Sequence, residues 1–230
     1  MVFNNGKLSG IPKNTGIYKI RLKVEQEKEA SERVFNLSVR GENYAESAKS
    51  ILSNVTTTSA STRDSMWVSI SPSMFAKDIH IINDGKINGE GSVFYSIKQS
   101  FKQKNDYYGY EWNEKKRIGL IGFHTGSMEE FGGWFRTLNV EYQDDHSNWK
   151  SVEVLKLTPG LVKGDNTELK PDFVEYLISF TPVSTKAIRI IGEAGGGEHW
   201  FSKDKTPYFT SITELSVHEP LPGIEILYKK

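Results

Sequence analysis

The chain has 230 residues, 37% hydrophobic and 12% aromatic, which is enough apolar material for a buried core. Lysine plus arginine balance aspartate plus glutamate at 29 each, so no overall field draws in nucleic acid or an anionic membrane. Cysteine is absent, which removes disulfides, thiolate zinc sites and cysteine nucleophiles together.

The first residues, Met1 to Gly6, lack the basic region and apolar run of a signal peptide. No apolar run anywhere reaches the length of a membrane span. Residues 16–24 and 34–39 alternate apolar and polar side chains, which predicts two strands. The charged run 25–33 between them reads as a solvated hairpin loop rather than a helical turn. Two strands alone are marginal in water, so this piece either packs on the remainder or is the tail of a truncated domain.

Residues 41–52 have helix-like character and read as a linker, and the Thr- and Ser-rich stretch 54–61 reads as a first edge strand. Asn83-Asp84-Gly85 is a turn signal, and residues 92–104 have room for a short helical turn. Two matched halves then dominate the chain. Residues 117–123 and 132–142 flank one polar loop; residues 187–192 and 209–217 flank a glycine-rich aromatic loop. Each half reads as strand, long loop, strand. Turn residues recur at 144–148 and 158–160, and no helix-period segment of normal length follows Lys104. An all-β sandwich is therefore expected, in preference to α/β. Pro220-Leu221-Pro222-Gly223 reads as an exit from the fold, and no internal repeat is visible.

Several of these segments carry a resemblance. They are Asn83-Asp84-Gly85, Asp106-Tyr107-Tyr108-Gly109-Tyr110-Glu111-Trp112, Gly132-Gly133-Trp134-Phe135, and Val140-Glu141-Tyr142 with Trp149 after it. Ala187-Ile188-Arg189-Ile190 and Thr210-Ser211-Ile212-Thr213-Glu214-Leu215 complete the series. In this order the chain from about residue 54 to residue 218 resembles a discoidin-type (coagulation factor type C) domain. It is most like the family 32 carbohydrate-binding modules of the galactose-binding-like superfamily. Separately, Asn5-Gly6-Lys7-Leu8-Ser9-Gly10-Ile11-Pro12 with Thr15-Gly16-Ile17-Tyr18 resembles the closing strands of bacterial immunoglobulin-like repeats.

The division expected is a partial immunoglobulin-like β segment and linker over 1–45, a discoidin-like domain over 46–219, and a tail over 220–230. The resemblance implies a jelly-roll β-sandwich that binds a glycan, with galactose-type sugars first among the candidates, and has no catalytic centre. It implies a secreted or cell-surface parent protein of several domains, bacterial by its relatives, and often a structural calcium. The long aromatic loop 193–208 departs from the family pattern, so no relative's ligand preference is carried over.

Sugar recognition needs a flat aromatic face for the ring and oriented hydrogen bonds for the hydroxyls. The loops 124–133 and 195–201 contain both, at strand ends where binding groups concentrate. Trp200 or Phe201 is the expected stacking platform, with Phe131 as second choice. His124, Glu129, Arg136 and His199 are the expected hydroxyl readers.

Structural alternatives stand beside each of these. Trp134 and Phe135 straddle a strand start, so one of them is expected in the core. Arg136 pairs with Glu141 or another surface carboxylate if it is not a ligand group. His124 is as readily a satisfied structural histidine, and Trp200 alternatively packs its own loop. Asp84, Asn88 and Glu214 are the expected calcium ligands; the alternative is an Asx turn at Asp84 and a lysine partner for Glu214. No His-Glu-x-x-His, Gly-x-Ser-x-Gly or phosphate-loop pattern occurs. The competing functions are an adhesion domain that binds protein or lipid and, more remotely, a glycan hydrolase or lyase.

Overall fold

The computed structural model describes residues 2–4, 7–9, 14–26, 29–58, 75–97, 105–129, 132–153, 155–161, 172–197 and 208–221. Strand β1 (Val2–Asn4) pairs antiparallel with β2 (Lys7–Ser9). Strands β3 (Gly16–Gln26) and β4 (Glu29–Val39) form a two-stranded ribbon whose register runs unbroken from Gly16↔Val39 to Gln26↔Glu29. The charged run 25–33 is therefore strand almost throughout, not the solvated loop expected. A ribbon with solvent beside it accommodates charges in a regular ladder, so polarity alone does not mark a loop there.

The expected helix-like linker 41–52 is also different in detail. It contains one 3-10 turn, Tyr44–Ser47, capped by the Asn43 side chain, and then strand β5 (Ser50–Ser53). Residues 54–58 are not the edge strand expected; only Thr57 bridges, to Asp78. A second 3-10 turn, Ile79–Asn83, leads into the Asp84-Gly85 bend, and β6 (Phe94–Tyr95) occupies part of the stretch expected to hold a helical turn.

Two very long strands organise the rest: β7 (Asn105–His124) and β11 (Glu175–Glu193). Between them lie β8 (Asn139–Gln143), β9 (Trp149–Ser151) and β10 (Lys156–Thr158), and after them β12 (Ser211–Ile212) and β13 (Glu214–His218). The first half of β7 pairs with β5 and with the second half of β11, which in turn pairs β8 and, through it, β9. The second half of β7 pairs with β13 and with the first half of β11, which in turn pairs β10. The β7–β11 register shifts between Ser179 and Val183 and again between Thr185 and Ala187. Pro182 lies inside the first of these shifts, where its missing N–H costs no ladder bond. Both strands thus pass from one layer into the other.

The period-two pattern explains the core. Asp106, Tyr108, Tyr110 and Trp112 turn inward from the first half of β7, and Ile121 and Phe123 from the second. They meet Val140, Tyr176, Ile178, Phe180, Ile188, Ile190, Leu215 and Val217 in one cluster. Phe135 wedges between the layers, its ring edge-on to Tyr108 at 6.1 Å and to Phe123 at 5.5 Å. Tyr44 and Ala45 belong to this same core, and Trp112 Nε1 donates to the Tyr44 carbonyl over 2.8 Å. The fold is an all-β jelly-roll sandwich with an N-terminal β appendage, and 3-10 turns are its only helical elements among the described residues.

Candidate functional site

Because β7 and β11 double back across both layers, their four ends meet at one rim. Asn105 opposes Glu193 there, and His124 opposes Glu175. Two connections start from this rim, 125–138 after β7 and 194–210 after β11. They are laced to each other by backbone bonds: Gly133 N donates to Phe209 O over 2.8 Å, Ser211 N to Gly133 O over 3.0 Å, and Gly195 N to Trp134 O over 2.8 Å. The two loops thus converge in the described residues.

Glycine makes the lacing possible. Gly133 has φ of 112°, a region that side chains rarely adopt, and any Cβ on Gly195 would run into the Trp134 indole. Trp134 and Phe135 are each 3% exposed, so both are interior and not just one of them. The chain bends here instead of continuing as a strand, which frees consecutive side chains from alternation.

Arg136 is a half-buried group of this rim. Its Nη1 donates to Glu193 Oε1 over 2.9 Å, its Nη2 donates to Gly196 O over 3.3 Å, and its guanidinium carbon lies 5.5 Å from the centre of the Tyr208 ring. The expected alternative partner Glu141 is taken by Arg189 instead, at 2.7 Å and 3.0 Å. Arg189 also lies 4.0 Å from the Trp149 ring centre and 4.7 Å from that of Tyr107. The pair sits directly across β8 and β11.

Among the described residues, the other expected readers, Glu129 and His124, are not brought to Arg136. Glu129 is 4% exposed and turned inward, accepting from the Tyr95 hydroxyl at 3.4 Å, whose proton burial holds far above the usual phenol range. His124 lies beside Glu175, with its Nε2 3.7 Å from Oε1, and burial lowers the imidazole's affinity for a proton. Phe131, His199, Trp200 and Phe201 lie outside the described residues. Glu193 and Tyr208 are the rim groups that sequence reasoning missed. Glu193 closes an alternating strand, and Tyr208 belongs to the same aromatic loop as Trp200, which were the available signals.

Under the loops lies a small apolar notch lined by Phe123, Thr125, Met128, Trp134, Leu161 and Tyr176. Behind it, the carboxylate of Asp106 is fully buried at the start of β7. It accepts from Thr210 Oγ1 over 2.8 Å, from Asn54 Nδ2 over 3.3 Å and from the Ser96 hydroxyl. These bonds fasten the end of the second loop to β7.

The expected calcium ligands are placed unequally. Glu214 Oε2 accepts from Gly85 N over 3.0 Å, beside Asp84 in the bend. Burial first, then the charges of Asp84 and Glu46, push the Glu214 carboxyl up to about 7. Asp84 Oδ1 accepts from Lys86 N over 2.8 Å, and Lys86 Nζ lies 3.5 Å from Oδ2. Asn88 is exposed in the same loop. Two neighbouring carboxylates, one of them desolvated, fit a hard cation; among the described residues no group of three or more His, Asp or Glu side chains is placed to hold a metal ion.

No family model matches the sequence, and no curated protein matches it. Solved structures do resemble it. A domain of the Streptococcus pneumoniae beta-galactosidase BgaA superposes with a TM-score of 0.50 at 14% identity, covering 78% of this chain and 99% of that one. A Clostridium perfringens module solved with GalNAc-beta-1,3-galactose gives 0.47 at 11% identity, covering 74% of this chain and 94% of that one. A family 32 carbohydrate-binding module from C. perfringens NanJ, solved with galactose, gives 0.44 at 12% identity, covering 74% and 93%. The likeness is one of fold.

Proposed function

We propose that this chain is a non-catalytic carbohydrate-binding module, serving a larger secreted or surface protein and binding its glycan at the rim built by loops 125–138 and 194–210. The observation that carries the reading is Arg136, held by Glu193 and the Gly196 carbonyl and set against the Tyr208 ring where the two loops cross. A guanidinium oriented before the ligand arrives loses little further freedom on binding, and its planar donors match vicinal hydroxyls. Aromatic rings in the same loop supply a face for the C–H side of a sugar ring. Galactose-type sugars are the first class to test, and the Asp84–Glu214 pair is the place for a structural calcium.

The test is a glycan array followed by calorimetry, with Arg136→Ala and Trp200→Ala as separate variants. Binding lost in both supports the rim. Failure to bind any glycan, together with sedimentation on liposomes, would move the protein to the adhesion reading instead.

A further inference from the structure

The outer face of the β13–β7–β11 layer carries a partly buried polar cluster that the proposed glycan site does not use. Arg40, directly after β4, donates bidentately to Glu175 on β11, with Nη2 2.6 Å from Oε2. The pair lies over Gly122, where a Cβ would meet Ser216 Oγ at 2.5 Å, Glu175 Oε1 at 2.9 Å and Arg40 Nη1 at 3.0 Å. His218, at the end of β13, is 5% exposed, and its Nδ1 stands 2.9 Å from Glu42 O and 3.2 Å from Gly41 O. Carbonyl oxygens only accept, so Nδ1 carries the proton and Nε2 is the bare nitrogen. That Nε2 is buried and has no hydrogen-bond partner.

A second proton on this ring would place an unpaired N–H in a site closed to water and put a cation beside Arg40. The groups bearing on His218 are Arg40 and the Gly41 and Glu42 carbonyls from the strap and Glu175 from β11. Burial, the largest influence, and the Arg40 charge both oppose a second proton, while the strap's carbonyls and Glu175 favour it; the net direction is downward from the ordinary histidine value.

We propose that His218 is an acid-released latch. In its neutral form it ties residues 41 and 42, and through Arg40 the end of the β3–β4 ribbon, to the sandwich; on protonation it lets this strap go. The direction follows from linkage. The open strap leaves His218 at its ordinary value of 6.5 and the closed strap lowers it, so closure is complete above that value and weakens as pH falls below it.

The experiment is amide hydrogen exchange on the intact chain between about pH 7.5 and about pH 5, corrected for intrinsic rates, with the His218 ring followed by NMR. Protection of residues 41–46 is expected to fall about tenfold or more over that range, in step with ring titration, while amides at Tyr108 and Tyr110 keep theirs. In His218→Asn, whose amide still donates to the two carbonyls but takes no proton, the fall should vanish. The proposal is overturned if protection is pH-independent in the native chain, if His218→Asn shows the same fall, or if His124→Asn abolishes it instead. Should His218→Asn not fold, the native ring decides: an imidazole that stays neutral while the strap opens also overturns it.

Discussion

Thr210 donates its hydroxyl to the buried carboxylate of Asp106 over 2.8 Å although 104 residues separate them. This bond connects the last strand segment to the first long strand behind the rim. Replacing Asp106 with Ala removes the carboxylate acceptor of the Ser96 and Thr210 hydroxyls and one of the acceptors of the Asn54 amide, which keeps the Asn105 carbonyl. A loss of about 2–4 kcal/mol is expected, read by urea denaturation, with Asp106→Asn costing less because it keeps an accepting oxygen.

Arg136 and Arg189 separate binding from stability. Arg136→Ala and Tyr208→Ala should each weaken glycan affinity roughly tenfold with little change in melting temperature. Arg189→Lys keeps a charge but loses the two bonds to Glu141 and the stacking on Trp149 and Tyr107. It should cost about 1–2 kcal/mol and shift the tryptophan fluorescence, leaving affinity unchanged. Equal effects of the two arginines on affinity would remove the rim from consideration.

Gly195→Ala would force the Trp134 indole aside, since the new methyl has nowhere else to go. The expected cost is roughly 1–3 kcal/mol. Glycan affinity should fall with it, because the Gly195–Trp134 backbone bond holds the two loops together. Calorimetry and thermal melting on the same preparation check both effects.

The Glu214 carboxyl titrates near 7 in the fold against an ordinary 4.5. A raised carboxyl destabilises the fold when ionised, so the penalty is absent below 4.5 and complete above about 7. The melting temperature of the calcium-free protein should therefore decline as pH rises across that window. Calcium at about 1 mM should restore several degrees above neutral pH and little near pH 5. Glu214→Gln should erase both the decline and the calcium response.

How much of this could be read beforehand varies by residue. The patterns in 117–123 and 187–192 are enough for strands, and the same rhythm in 105–112 places Tyr108 and Tyr110 inside, but 118–123 is buried on both faces, with Leu120 against Leu221 and Gly122 beneath Arg40 and Glu175. What alternation cannot show is that 105–124 is one strand serving two layers, because the change of phase after Trp112 comes from a register shift in which residues 112–115 stand opposite Lys186 alone. Arg136 does pair with a surface carboxylate, as the structural alternative has it, but that carboxylate is not Glu141. Glu141 is near in sequence, but the β8–β11 register gives it to Arg189 and leaves Arg136 to Glu193. Trp134 and Phe135 violate the two-residue period because they lie in a bend, and a bend's side-chain directions follow from tertiary packing. The charged ribbon 25–33 shows the opposite error, polarity read as a loop where the backbone ladder continues.

The passage of β7 and β11 through both layers has a mechanical outcome. The end where they cross over is stitched by continuous covalent chain, so the two sheets hinge there as pages do at a spine. Breathing of the interior is expected to begin at the free margin, where, among the described residues, loop-to-loop bonds, the Phe135 wedge and the Asp106 bonds hold the leaves closed. An occupant seated across that margin would clamp the molecule at the place from which it otherwise starts to open.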